Sequence, residues 1–191
     1  TQMVTKGLDF DNVSLVGVLD ADSMLRRPDF REFERAYQLM SQVAGRAGRK
    51  QKRGKVIIQT VDPDHHILQK VVAHDYIALF EHELIERKNY NYPPFYKVIV
   101  LTLKHKKYQE LDMMSDDLAR TLRKTFGNRI LGPEYPLVKK INNFYLKNIR
   151  VKIERSASQA KVKEKIALAM EDFYRVLGNK SCRILVDVDP L

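Results

Sequence analysis

Two adjacent prolines, in Tyr92-Pro93-Pro94-Phe95, set the strongest limit on how this 191-residue chain can fold. Paired prolines remove two backbone donors and force extended backbone at and before them, so no helix or strand ladder runs through. The halves on either side differ in charge. Through Tyr92 there are 14 Lys+Arg against 13 Asp+Glu, and from Pro93 onward 20 against 11. The formal net charge of +10 therefore sits mostly in the second half, and such a surplus favours polyanionic partners. One local cluster departs from this division: Arg46, Arg49, Lys50, Lys52, Arg53 and Lys55 have no acid among them.

The first half reads as α/β. Val13 to Leu19 is nearly all apolar, which suits a parallel strand covered on both faces. A helix is expected from about Phe30 to Val43, with Phe33, Ala36, Tyr37 and Met40 inward, and a second strand from Lys55 to Thr60. Two strands and one helix make only part of a nucleotide-binding lobe, so the lobe is expected to begin before Thr1. Asp62-Pro63-Asp64 opens two helical stretches, His65 to Ala73 and Tyr76 to Lys88, the latter striped by Ile77, Phe80 and Leu84. The expected division is 1–61 for the partial lobe, 62–92 for a helical connector and 93–191 for a second domain.

In the second domain, strand Phe95–Leu103 precedes a helix over Tyr108–Phe126 with Leu111, Met114, Leu118 and Leu122 on one face. Tyr135–Ile141, Asn142-Asn143 and Phe144–Glu154 read as a hairpin. A helix over Ser158–Leu177 and a strand over Arg183–Val188 complete a βαββαβ order, which is the ferredoxin-like arrangement. The expected fold class is thus α/β plus α+β.

Chemistry concentrates at Gln42-Val43-Ala44-Gly45-Arg46-Ala47-Gly48-Arg49. Two arginines three residues apart, each after a glycine, offer permanent planar charge for bidentate phosphate contact and let the backbone come close to a ligand. A basic surface turn at the end of a helix is the other reading of these eight residues. From Leu137 to Ile153, Lys139, Lys140, Lys147, Arg150 and Lys152 occur without an acid, interleaved with Phe144 and Tyr145. Cations beside aromatic rings suit single-stranded or forked DNA through phosphate attraction and base stacking. A solvated strand face with Phe144 and Tyr145 in the core fits the same pattern. No metal-ligand constellation stands out. His65-His66 are expected to point apart, Asp187 and Asp189 to end a strand, and Cys182 to be inert. One cysteine excludes an internal disulfide or a cysteine-built zinc site and suggests a reducing cytoplasm. No apolar run approaches the roughly 20 residues of a membrane span, so no membrane partner is expected.

The wording of several stretches resembles superfamily-two helicase motifs V and VI, and within them the primosomal replication-restart DNA helicases, the PriA family. Thr5-Lys6-Gly7-Leu8-Asp9-Phe10, Asp20-Ala21-Asp22, Arg26 to Arg31, Ala44 to Arg49, Tyr92 to Phe95 and Asp187 to Pro190 carry the likeness, which spans essentially the whole chain. It implies an ATP-dependent DNA helicase with a RecA-like second lobe and a ferredoxin-like carboxy-terminal domain, of which this chain would be a carboxy-terminal fragment. By the same resemblance Arg49 would contact the γ-phosphate and Arg46 would sense nucleotide or bridge the lobes, the two being exchangeable, with Gln42 orienting the turn or a water. Gly7, Asp9 and Gly45 would lie against nucleotide, and Thr5 and Lys6 on a DNA phosphate. Lys161 and Lys165 would receive the acidic tail of single-stranded DNA-binding protein. Other primosome proteins are implied as partners.

ATP and Mg2+ would serve the complete enzyme, but no phosphate loop and no paired-acid motif occur in this chain. The chain alone is therefore not expected to hydrolyse ATP. The family's zinc module is expected too, and its cysteines are absent here. A stand-alone, non-enzymatic module binding DNA and single-stranded DNA-binding protein is the alternative.

Overall fold

The computed structural model describes residues 13–26, 29–45, 47, 54–176 and 179–190. The chain divides into two compact units between Glu86 and Arg87.

In the first unit, strand β1 (Leu15–Val18) pairs in parallel with β2 (Lys55–Ile58), Leu15 opposite Lys55 and Val18 opposite Ile58. Between them lie a short helix α1 (Asp22–Leu25) and helix α2 (Glu32–Ala44). The Asp22 carboxylate ties the strand ends together, accepting from Val61 N and Thr60 Oγ1 at 3.0 Å each. Ala36, Tyr37 and Met40 of α2 are buried, as their spacing requires. The parallel pairing matches expectation, but cover on both faces does not. Leu15 is 55% and Ile57 49% exposed, because the helices among the described residues leave part of this two-stranded sheet open.

Helices α3 (His66–Ala73) and α4 (Tyr76–Asn89) follow. Ile67, Leu68, Val71 and Leu79 share one core with Val18, Ala21, Leu25, Ala36, Tyr37 and Met40. These helices thus pack as part of the first unit, whereas a separate connector over 62–92 was expected. The stripe expected on α4 is also turned. Leu79 and Glu83 are buried, while Ile77 is 71% and Phe80 49% exposed. The row through Ile77, Phe80 and Leu84 is the more apolar one, yet the first unit's core takes in Leu79, and Glu83 one turn on is buried with it.

The second unit contains strand β3 (Tyr96–His105), helix α5 (Tyr108–Phe126), strands β4 (Ile130–Glu134), β5 (Lys140–Ile141) and β6 (Phe144–Glu154), helix α6 (Gln159–Arg175) and strand β7 (Arg183–Val188). The main sheet runs β4-β6-β3-β7 with every neighbour antiparallel, and β5 pairs with the start of β6. Leu111, Leu118 and Leu122 of α5 and Val162, Ile166 and Phe173 of α6 pack on Ile99, Leu101, Leu103, Ile149, Val151 and Ile153. The period-2 alternation of the strands meets the 3.6 period of both helices on one sheet face.

The expected Asn142-Asn143 turn is present, with φ of 46° and 64° at the two residues. Positive φ at both central positions is the hairpin turn whose twist matches the strands, and asparagine tolerates it. The edge strand differs from expectation. It is β4, not Tyr135–Ile141, of which only Lys140–Ile141 pairs. Gly132-Pro133 reads locally as a break, yet the ladder bulges between Leu131 and Glu134 and resumes. Gly132 sits at φ 88°, and a Cβ there would lie 2.7 Å from the Asn148 carbonyl oxygen. Only glycine fits.

Candidate functional site

Helix α2 delivers the motif carrying the arginines. Gln42 and Gly45 are both exposed at its end, and Gly45 N donates to Ser41 O at 3.0 Å. Gly45 has ordinary helical backbone, φ −65°, so its conformation does not itself demand glycine. Arg46, Arg49, Thr5, Lys6, Gly7 and Asp9 lie outside the described residues.

The basic hairpin is described in full, and not all of its cations face solvent, as a solvated strand face would have them. Strand β6 is interior to the sheet, flanked by β4 and β3. Three of the hairpin's five cations, all on β6, find partners inside the unit. Lys147 is 7% exposed, and its Nζ lies 2.5 Å from Asp112 Oδ1 and 4.9 Å from the Tyr135 ring centre. Tyr135 donates its hydroxyl to the same oxygen at 2.5 Å. Burial pushes the Asp112 carboxyl up, but the Lys147 and Tyr135 hydrogen bonds outweigh it and hold the group below the usual carboxylate range. Arg150 pairs with Glu134. Lys152, 9% exposed, donates to Tyr90 O at 2.6 Å and stands 3.5 Å from the Tyr92 ring centre. Burial, and then the charge of Arg150, push its amine down to about 8.

Lys139 and Lys140 remain exposed at the hairpin tip. Lys140 Nζ is 4.9 Å from the Tyr145 ring centre and Lys139 Nζ 5.8 Å from that of Tyr135. Phe144 and Tyr145 are half-buried, and two cations not anticipated from the sequence flank Phe144: Lys106 at 5.9 Å and Arg183 at 5.3 Å. Lys106 is the first residue after β3, within the basic run Lys104 to Lys107, and Arg183 opens β7, where it pairs with Lys104. The run Lys104 to Lys107 was a legible signal, whereas Arg183 joins only through the sheet. Among the described residues, no carboxylate lies within ion-pair distance of Lys106, Lys139, Lys140 or Arg183. Four unneutralised cations beside the half-buried rings of Phe144, Tyr145 and Tyr135 can attract phosphates and stack bases.

On α6, Lys161 and Lys165 are exposed one turn apart, beside the buried Val162 and Ile166. His65 and His66 do not point apart: their rings stack at 4.7 Å, and His82 meets His66 at 5.1 Å. His65 caps α3, its Nδ1 accepting from Ile67 N, which turns its ring back toward His66. No group of three or more His, Cys, Asp or Glu among the described residues is placed to hold a metal ion. Cys182 is buried and burial raises its thiol to about 11, leaving a poor nucleophile. No helix among the described residues is long and apolar enough to cross a membrane.

Residues 88–191 match the family model of the primosomal protein N C-terminal domain. Over its whole length the chain is 38% identical to the replication restart protein PriA of Bacillus subtilis, of which it covers 24%. The corresponding protein of Synechocystis is 37% identical over the whole chain, with 22% of it covered. That of Thermotoga maritima is 32% identical, again over the whole chain, with 24% covered. The chain therefore spans about a quarter of the length of the curated relatives it matches. On both the domain match and the full-length likeness, it belongs to the PriA family of replication restart proteins.

Proposed function

We propose that this chain is the carboxy-terminal portion of an ATP-dependent DNA helicase that restarts replication by assembling a primosome on stalled or forked DNA. Full-length identity to PriA proteins carries the reading. Parallel β1 and β2 joined through α2 support a RecA-like second lobe, and the strand order of the second unit supports a ferredoxin-like domain. Arg46 and Arg49 would meet the γ-phosphate across a cleft, with Gln42 and Gly45 beside them and Gly7 and Asp9 on the same nucleotide. The exposed end of α2 leaves Gly45 open to close approach. Seats for β- and γ-phosphate and Mg2+ would come from other parts of the longer relatives' polypeptide, as would cysteines for zinc. Thr5 and Lys6 would couple nucleotide state to a DNA phosphate. The rings and cations at the hairpin tip would hold single-stranded or forked DNA, and Lys161 and Lys165 an acidic tail of single-stranded DNA-binding protein. The setting would be the cytoplasm.

The test is Arg49→Ala in the complete protein. DNA-stimulated ATP hydrolysis should fall by about 10³-fold or more, the range for a lost arginine finger, while DNA affinity changes little. Retained turnover would refute the assignment. A second reading, a non-enzymatic binding module, draws on the separate core of the second unit. It predicts DNA binding by the complete protein that nucleotide does not alter.

A further inference from the structure

The C-terminal turn of α5 and strand β6 border a cleft of about 860 Å3 in the second unit. That volume is within the rough 300–1,000 Å3 of small-molecule sites. Four cations line it, Arg123, Lys124, Arg129 and Lys152, against one carboxylate, Glu154. Glu154 is already engaged, since Arg129 Nε donates to both its oxygens at 3.0 Å. Arg123 donates to the Gly132 carbonyl. Cations in a last helical turn complement the helix dipole, which accounts for Arg123 and Lys124 without a ligand. Lys152 has no such explanation. It enters from a strand in the interior of the sheet, is nearly buried, and among the described residues has no carboxylate within ion-pair distance. Burying an ammonium on a carbonyl and a ring alone is costly, and an anion in the cleft removes much of that cost. The walls add Tyr96 and Tyr90, the latter 63% exposed and free to stack.

We propose that this cleft binds a nucleoside phosphate, the terminal phosphate drawn to Lys124 and Lys152 and the base laid against Tyr90. A free nucleotide and the phosphorylated end of a nucleic-acid strand both present this chemistry. The assignment does not depend on the proposed helicase function, because none of the motif arginines takes part. With its amine pushed down to about 8 by burial, Lys152 is only partly protonated at mildly alkaline pH, and a phosphate dianion drives it to the charged form.

Calorimetric titration of the chain at pH 8 with dAMP, deoxyadenosine, and 5′-phosphorylated or 5′-hydroxyl oligodeoxyadenylate tests this. The phosphate should improve affinity about tenfold or more in at least one pair, and Lys124→Glu should abolish that gain. Proton uptake on ligand binding, read from buffers of different ionisation enthalpy, should vanish in Lys152→Met. A preference confined to the phosphorylated oligonucleotide assigns the strand end, and a preference for dAMP the free nucleotide. Equal affinities with and without phosphate, or an unchanged Lys124→Glu variant, would overturn the proposal. Lys124 is exposed, so its replacement does not put folding at risk.

Discussion

Replacing Lys152 by Met isolates the electrostatic burden that the second unit carries at its sheet. The amine is held at about 8 against an ordinary 10.5, so charging it in the folded state costs about 3 kcal/mol at pH 7. The folded value lies below the unfolded one. The cost is therefore full below pH 8 and fades as pH rises toward 10.5, so the parent gains stability through that window. Between pH 7 and pH 9.5 the gain is about 2 kcal/mol. Methionine keeps an unbranched stem of similar length and loses the charge, the bond to Tyr90 O and the contact with the Tyr92 ring. Those losses are worth about 1–3 kcal/mol together, so the variant should be near-neutral or slightly stabilised at pH 7. Urea unfolding followed by circular dichroism, run on parent and variant at pH 7 and 9.5, reads the difference directly. The first unit is identical in both chains and cancels. The parent should gain about 2 kcal/mol on the variant over that interval. A difference constant to within about 0.5 kcal/mol would refute the claim that Lys152 is buried as a charge.

Gly132→Ala tests the bulged edge strand. A Cβ 2.7 Å from Asn148 O and 3.1 Å from Glu134 N, on a residue at φ 88°, should destabilise the unit by about 2–4 kcal/mol. An unchanged melting temperature would mean that the strand is not built this way. Lys139→Ala with Lys140→Ala removes two exposed cations from the hairpin tip while the Lys147–Asp112 pair stays in place. The log–log salt slope for single-stranded DNA binding should become shallower by about 1.4. The same slope as the parent would exclude the hairpin tip from the DNA contact.

Helix α5 over Tyr108–Phe126 and strand β7 over Arg183–Val188 have the bounds read from pattern alone. The helix shows one strong period and one apolar face, and the strand is a short apolar run stopped by Pro190, so local physics leaves little choice. The Asn142-Asn143 turn is equally local, needing only two residues that accept positive φ. Strand β4 was hidden because Gly132-Pro133 carries a turn signal that a bulge absorbs. The α4 stripe was misread because the apolar row through Ile77, Phe80 and Leu84 is the stronger local pattern, while the core buries Leu79 and Glu83, a row that polarity alone would place outward. At the candidate site, Lys139, Lys140, Phe144 and Tyr145 were legible as a basic, aromatic hairpin. Their neighbour Arg183 lies far along the sequence and arrives only through strand pairing.

By itself the sequence determined the break at Pro93-Pro94, the charge imbalance across it, the main helices and the family likeness, all properties of residues close together in the chain. Which cations stay free was decided by the tertiary structure. Lys152 reaches a carbonyl 62 residues away and Lys147 meets Asp112 on another element, because β6 lies in the interior of the sheet and not at its edge. Periodicity tells which side chains share a face. Only packing tells what that face meets, and so whether a lysine is buried among protein groups or left exposed at the hairpin tip.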